Sequence, residues 1–428
     1  MTIRYNHNTL PQVAVYAGSG ASHSWIWFTD LFDREQYAPV VFVNEQDIAN
    51  GVLEWCSVLL VSGGDTFAIA EALGQCGAAR LEHFVRNGGR YIGSCAGAYL
   101  PLRSSLEPLN YFNFVAARIG NLARNAPQAL QMPEKSCTEY GCRYVVHPVR
   151  GEVRLRLHEG LADSADHSLT APLYGGPTLL PSEDVEVLAT YDDFTAATEF
   201  LVDETIARSM IVGAAAAVRK QLGSGELYLF GPHFEHPLFP EANRVLLQVI
   251  VKARRHMDDA HARRIFDFSA VQDQGTAASR NAFRRFLSSV STCRIMAFAL
   301  ERTAYRWRIG KKVYDPEKIS VMVNAVFTRA QQLDASGYSR YIPESVSCAW
   351  HEATENVIDL LRRLKHPEGT SDHTAHELFD GLRTLSATFL TAYFQYQYHG
   401  ILDQERRTPC MTITCTSRQL QHSTPCRL

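Results

Sequence analysis

Residues Tyr91–Tyr99 read YIGSCAGAY, and the fold turns on this stretch. An apolar strand signal at Arg90-Tyr91-Ile92 runs into Gly93-Ser94-Cys95-Ala96-Gly97 and then into a helix-compatible run. Cys95 stands between two glycines, each two residues away, which is the spacing of a nucleophile elbow. Such an elbow is a tight strand-to-helix turn that lifts a nucleophile onto a helix N-terminus. The turn is strained and neighbouring backbones come close, so small residues are needed on both sides. The free N–H groups and dipole of the following helix would favour a thiolate and hold an oxyanion. The plainer reading is a buried cysteine after a strand, with glycines that serve only the turn.

The chain around the elbow alternates between strand and helix signals from residue 12 to about 254. Val13-Ala14-Val15-Tyr16 ends in Ala17-Gly18-Ser19-Gly20, Pro39-Val40-Val41-Phe42-Val43 is a second strand, and Val58-Leu59-Leu60-Val61 runs into Ser62-Gly63-Gly64-Asp65. Between Thr66 and Asn87 the apolar spacing predicts a helix broken near Gly74 to Gly77. Continuous apolar strands separated by helices predict an α/β fold with a doubly wound, mostly parallel sheet. In such sheets the site lies beyond the carboxyl ends of the strands. The loops at 17–20, 62–64 and 93–97 should therefore converge there.

From about 140 to 232 the texture turns β-rich. Arg143–Val146, Val153–Leu157, Val185–Ala189 and Ile211–Ala215 read as strands, and Leu222-Gly223-Ser224-Gly225-Glu226 as a hairpin turn into Leu227–Phe230. A helix from Glu241 to Arg255 follows. Long helical patterns then dominate, at roughly 276–308, 316–335, 343–365 and 373–402, with glycine and proline at the joints. The expected organisation is an α/β domain over 1–255, an all-α helical domain over 256–405, and a disordered tail over 406–428.

Composition narrows the function classes. A chain of 428 residues with 46% hydrophobic and 20% charged residues has ample material for a buried core. A formal net charge of −3 gives no electrostatic case for nucleic acid or a membrane surface. No apolar run approaches the ~20 residues of a spanning helix, and the N-terminal MTIRYNHNTLPQ lacks a signal-peptide core, so the expected location is cytoplasmic. The ten cysteines form no Cys-x-x-Cys pair, and Cys137/Cys142 is too loose for zinc. His351/Glu355 and His373/His376/Glu377 have helical spacing, but polar faces of this kind are common, and neither a metal nor a cofactor is expected. Arg284-Arg285-Phe286 and Tyr305-Arg306-Trp307-Arg308 interleave bases and rings, a pattern that can bind nucleic acid, whereas the aromatic run from Tyr393 to Tyr398 follows an apolar helical pattern and reads as packing.

A thiolate nucleophile needs a base, and a histidine polarised by a carboxylate is the usual one. His233-Phe234-Glu235 follows a predicted strand and supplies both, on the same side of an extended segment. His236 is adjacent but should face elsewhere. Gly63-Gly64 lets backbone approach a ligand, so an N–H from this pair together with that of Ala96 could form an oxyanion hole. Asp65 reads as the N-cap of the following helix.

These pieces together resemble class I glutamine amidotransferase-like domains, and more closely the N-terminal domain of eukaryotic-type biotin–protein ligases. The matching stretches are Val13–Gly20, Val61–Asp65, Gly93–Tyr99, Tyr174-Gly175-Gly176-Pro177 and Gly231–Glu235, within residues 12–250. The resemblance implies a flavodoxin-like sheet and a Cys-His-Glu triad, carried here onto Cys95, His233 and Glu235. Two departures matter. Glutamine-hydrolysing members commonly carry His-Gln just after the elbow glycine, where this chain has Ala98-Tyr99. The part after 255 lacks a glycine- and arginine-rich biotinyl-adenylate loop, so no biotin-ligase activity is expected. The Cys-Ala-Gly-Ala run is also similar to the Ser-Ala-Gly-Ala elbow of the peptidase E and cyanophycinase group.

The expected function is thus hydrolysis or transfer at a C–N bond of a small-molecule or peptide amide through a thioester. The alternatives are a Cys-for-Ser small peptidase and a ligand-binding or regulatory module that keeps the fold without turnover. A homo-oligomer, or an acceptor or synthase partner, is the expected assembly.

Overall fold

Five parallel strands build the half of the sheet that carries the elbow. The first four are β1 (Val13–Tyr16), β2 (Val40–Val43), β3 (Val58–Val61) and β4 (Arg90–Ser94), and all but the Arg90 position are fully buried. The computed structural model describes residues 11–125, 144–161, 168–253, 276–365 and 371–407. β1 lies between β2 and β3, with Val13 opposite both Val40 and Val58, and β3 pairs with β4. Parallel neighbours need crossovers, supplied by α1 (Ile26–Arg34), α2 (Glu45–Ala49) and α3 (Thr66–Arg86). The α3 break lies at Gly74, which alone in that helix leaves helical backbone angles (φ 56°, ψ −166°). The elbow helix α4 (Ala96–Tyr99) is a single turn.

Beyond the elbow the sheet becomes antiparallel. Its strands are β5 (Ala117–Ile119), β6 (Val149–Leu157), β7 (Ser168–Leu173), β8 (Leu179–Pro181), β9 (Glu186–Phe200), β10 (Ala215–Leu222) and β11 (Gly225–Phe230). β11 closes the parallel half against β4, with Tyr228 opposite Ile92. The main path of the eleven-stranded sheet runs β2-β1-β3-β4-β11-β10-β9-β6-β7. The mostly parallel character expected of the sheet is therefore confined to five strands. Tight connections such as Gly223-Ser224 return the chain beside itself and enforce antiparallel pairing in the remainder. The strand expected at Ile211–Ala215 begins only at Ala215, because Ile211 is the last residue of an amphipathic helix, α5 (Glu204–Ile211). In the strand expected at Arg143–Val146, residues 144–146 contribute only a bridge from Val145 to Leu122, and Arg143 lies outside the described residues. α6 (Pro240–Val251) follows β11.

The C-terminal region comprises α7 (Ala277–Glu301), β12 (Trp307–Ile309), β13 (Lys312–Tyr314), α8 (Pro316–Ala335), α9 (Glu344–Lys365) and α10 (Asp372–Arg407). It is not all-helical, which corrects the expected helix over 276–308. The chain leaves α7 at Glu301 and forms a hairpin around Gly310, whose φ of +58° suits glycine. Trp307 and Tyr314 anchor that hairpin: both are buried, and Tyr314 packs on Phe379 with ring centroids 4.6 Å apart. The expected tail lies outside the described residues from 408 onward, while 406–407 end α10.

The helical region is bound to the sheet region by specific contacts. Buried Arg329 on α8 reaches Asp30 (2.9 Å) and Asp33 (3.1 Å) on α1. On α10, Thr391 Oγ1 accepts the Phe42 N–H at 3.0 Å and Phe394 packs on Phe42. The aromatic run there is packing, as expected, with Tyr393 and Phe394 buried. No helix among the described residues is long and apolar enough to cross a membrane.

Candidate functional site

Cys95 occupies a backbone conformation that side-chain-bearing residues rarely adopt, with φ +50° and ψ −108°. The flanking glycines make that turn sterically feasible. A Cβ on Gly93 would collide with the Gly97 carbonyl, and one on Gly97 with the Val61 carbonyl. The Cys95 N–H is tied to the Phe230 carbonyl at 3.0 Å, which pins the elbow to the neighbouring strand β11.

His233 and Glu235 come to the same place because β11 lies directly beside β4. His233 Nδ1 donates to Glu235 Oε1 at 2.8 Å, which leaves Nε2 free of the carboxylate, and the Cys95 side chain is close enough for its charge to act on the ring. All three side chains are buried, Glu235 completely. Two serines that sequence reasoning did not single out bond the same carboxylate oxygen as His233, while Glu235 Oε2 is buried with no hydrogen-bond partner among the described residues. Ser62 Oγ donates to Glu235 Oε1 at 2.6 Å and Ser94 Oγ at 2.7 Å. Both sit within the quoted glycine loops, one before Gly63 and one before Cys95, so their position was legible although their partner was not. Cys95 Sγ also lies 3.7 Å from the Tyr174 carbonyl oxygen, the acceptor for a protonated thiol.

The electrostatics of this group are those of an ion pair. Burial pushes the Cys95 thiol up, but the charge and hydrogen bond of His233 outweigh burial and hold it below its ordinary value, with Lys312 adding to the effect. Burial opposes charge on His233 as well, yet Glu235 and Cys95 raise it to about 10. Glu235, against its own burial, is held below the usual carboxylate range by His233 and the two serines. The one-turn α4 is too short to supply much of a helix dipole, so the thiolate's stabilisation comes from His233 rather than from the helix expected at this point.

The glycine pair divides into two structural positions. Gly64, at φ +159°, lines a cavity together with Cys95 and Ala96. Among the described residues neither the Gly64 nor the Ala96 N–H donates a backbone hydrogen bond. Gly63 instead makes room for His233, since a Cβ there would lie 2.8 Å from His233 Cε1 and 2.9 Å from Ser24 Oγ. Its carbonyl is occupied by the Ser22 N–H at 3.0 Å. The loops at 17–20 and 62–65 do meet, through Asp65 N–H to Gly20 O at 2.8 Å, but the first loop does not line the cavity. His236 packs on Trp27, ring centroids 4.4 Å apart, while Trp27 also meets the edge of His233 at 5.2 Å.

Residues 11–105 match the family model described as biotin-protein ligase, N terminal. That segment carries β1 to β4 and the elbow, but neither His233 nor Glu235. An uncharacterized protein of Chlamydia muridarum (strain MoPn / Nigg) is 32% identical over 107 residues, which is 23% of this chain and 41% of that protein. The chain thus spans well under half the length of this curated relative. Among solved structures, a glutamine amidotransferase from Thermotoga maritima has a TM-score of 0.33 at 9% identity, covering 56% of this chain and 82% of that one. A cytoplasmic protein of Salmonella typhimurium LT2 has a TM-score of 0.34 at 13% identity, covering 56% and 99%. A β-galactosidase from Rahnella sp. R3 has a TM-score of 0.31 at 13% identity, covering 58% and 32%. Likenesses this loose carry no argument about fold or activity.

The cavity beside Cys95 measures about 440 Å³, within the size range of small-molecule sites. Leu102, Leu109, Ile119 and Tyr99 give it an apolar wall, and Asp65, Lys311 and Lys312 close one side. Lys311 and Lys312 come from the β12–β13 hairpin, which sequence reasoning placed in a separate helical domain. The Tyr99 hydroxyl accepts a hydrogen bond from Asn121 Nδ2 at 3.1 Å. Among the described residues no group of three or more His, Cys, Asp or Glu side chains gathers in a metal-ligating arrangement. In the candidate helical sets each histidine ring faces the carboxylate one turn on, His373 with Glu377 at 3.6 Å and His351 with Glu355 at 4.0 Å.

Proposed function

We propose that this chain is an amidotransferase-like enzyme of flavodoxin-like fold that cleaves the C–N bond of a small amide by a Cys-His-Glu triad. The observation that carries the reading is His233, held between a buried carboxylate and a thiol whose ionisation it favours. In the first half-reaction the Cys95 thiolate attacks the amide carbon and forms the C–S bond. The resulting oxyanion lies against the Gly64 and Ala96 N–H groups. His233, as imidazolium, passes its proton to the departing nitrogen as the C–N bond breaks. Water then attacks the thioester while His233 takes its proton, and collapse releases the acid and the thiolate. An amine acceptor in place of water gives transfer. Glu235, fixed by Ser62 and Ser94, holds the imidazole in the tautomer this sequence requires.

The parallel strand order β2-β1-β3-β4-β11 supports the flavodoxin-like reading, since it reproduces that fold's 2-1-3-4-5 order. The site at the carboxyl ends of β3, β4 and β11 agrees with where such sheets bind ligands. With Tyr99 in the cavity wall, an amide other than glutamine is the favoured substrate.

The test is release of ammonia or free amine from glutamine, asparagine and a library of dipeptide amides by the intact chain. Turnover is expected in the wild type and lost in both Cys95→Ala and His233→Ala. No turnover on any member, with Cys95 unreactive to iodoacetamide near neutral pH, overturns the proposal in favour of a binding module.

A further inference from the structure

Among the described residues the lining of the cavity beside Cys95 carries more cations than carboxylates. Arg103, Arg118, Lys311 and Lys312 line it, and Asp65 is the one carboxylate among those residues. Asp65 is already committed: its Oδ1 caps α3 at Phe67 N (3.0 Å) and Ala68 N (3.3 Å), and its Oδ2 accepts the Lys311 N–H at 2.7 Å. The two lysines differ. The Lys311 ammonium sits 3.3 Å from the centroid of the Phe67 ring, so its charge is spent on a cation–π contact. Lys312, one residue on and half-buried, is close enough to Cys95 and to His147 for its charge to act on both.

His147 is the second observation. It lines the same cavity, is 9% exposed, and its buried Nδ1 has no hydrogen-bond partner among the described residues. Burial and Lys312 push it down to about 3, so it is a neutral imidazole at any physiological pH. A buried polar atom without a partner is costly. The ring stands in the cavity wall, so this cost is carried at the edge of the space a ligand would fill.

We infer that the cavity is a subsite for an anionic oxygen group, a carboxylate or a phosphate, held by Lys312 on the His147 side of the cavity, on a substrate whose apolar body lies against Leu102, Leu109 and Ile119. A cation that is half-buried against an apolar wall attracts an anion far more strongly than an exposed one, because water screens it less. The cavity's size confines the partner to a small molecule or the end of a peptide. This inference rests on the proposed function for which bond is attacked, but it can be tested without turnover.

The experiment alkylates the native chain with iodoacetate (anionic) and iodoacetamide (neutral) and follows the Cys95 peptide by mass spectrometry. The ratio of the two rates cancels any change in thiolate fraction. That ratio is expected to exceed the ratio for glutathione by about tenfold in the wild type, to fall to the glutathione value in Lys312→Gln, and to be kept in Lys312→Arg. Arg118→Gln on β5 provides a second variant with a smaller fall should Lys312→Gln fail to fold. Protection against iodoacetamide is then read with N-benzoylglycine, phenyl phosphate and the neutral N-benzoylglycinamide. Protection by either anion and not by the neutral amide is expected, and the better of the two anions identifies the group. A wild-type ratio equal to that of glutathione, or equal protection by the neutral amide, overturns the subsite while leaving the proposed function standing. A Cys95 that reacts with neither reagent overturns both.

Discussion

Asp65 Oδ2 accepts the backbone N–H of Lys311 at 2.7 Å, across 246 positions of sequence. The residue that caps the helix after the Gly63-Gly64 loop thereby also fixes the hairpin that brings two lysines into the wall of the cavity beside Cys95. Its other oxygen is occupied by the cap, so one buried side chain joins the sheet region's site loop to the helical region. Gly310 belongs to the same arrangement: a Cβ there would lie 2.8 Å from Asp65 Oδ2.

Asp65→Asn separates these two roles. The amide oxygen can still cap α3, but an NH2 group replaces the acceptor of the Lys311 N–H. Hydrogen exchange at the amides of residues 310–314 is expected to accelerate, with a stability loss of about 1 kcal/mol. Asp65→Ala loses the cap as well and is expected to cost about 1 kcal/mol more in denaturant titration. Unchanged exchange in both variants would mean that the hairpin is held by Trp307 and Tyr314 alone.

Ser62→Ala and Ser94→Ala each remove one hydrogen bond to a buried carboxylate. The loss is expected to be about 2 kcal/mol for each serine, the range for hydrogen bonds to charged groups. Glu235 then becomes easier to protonate, and the imidazolium loses support. In both variants the acid limb of the Cys95 alkylation profile should move to higher pH. An unshifted profile would show that Glu235 is held by His233 alone.

The ion pair also predicts a pH dependence of stability. His233 titrates at about 10 in the folded chain against 6.5 for the free group. Its contribution is therefore complete below 6.5 and lost as pH rises through about 10. Glu235 is shifted the other way, so its contribution is present above its ordinary 4.5 and lost as pH falls through its lower folded value. Thermal melts from pH 6 to 10 should show a decline in Tm that is flattened in His233→Gln. A variant with the wild-type slope would place the decline on other groups.

Gly97→Ala tests the elbow itself. The added methyl would meet the Val61 carbonyl, which is strand backbone and cannot move aside cheaply. The expected cost is about 3 kcal/mol, at the upper end for overpacking, together with loss of selective Cys95 alkylation. Near-native stability would mean that β3 and the elbow can separate without cost.

Much of this site was legible in the sequence. Gly93, Cys95 and Gly97 announced the elbow because only glycine tolerates the contacts that a strained turn makes with Val61 and its own carbonyls. His233 and Glu235, two residues apart after an apolar strand, announced a polarised imidazole. The boundaries of β1, β3 and α8 were legible because β-branched runs and an Asp-Pro start leave few alternatives. The loss at Ile211–Ala215, read as a strand, followed from a short apolar run that fits a helix end and a strand start equally well.

What the sequence determined by itself, then, is local: which residues make strands, where the backbone must turn sharply, and which side chains carry chemistry. Only the tertiary structure decided which of these meet. Pairing of β11 beside β4, rather than any spacing along the chain, brings His233 and Glu235 to Cys95 and gives Ser62 and Ser94 their common partner. The hairpin at Gly310 reaches the cavity because Asp65 offers a buried acceptor there, and no local periodicity encodes a hydrogen bond between positions 65 and 311. Backbone preferences act over a few residues, whereas burial of charge and shape complementarity are satisfied only once distant segments have packed.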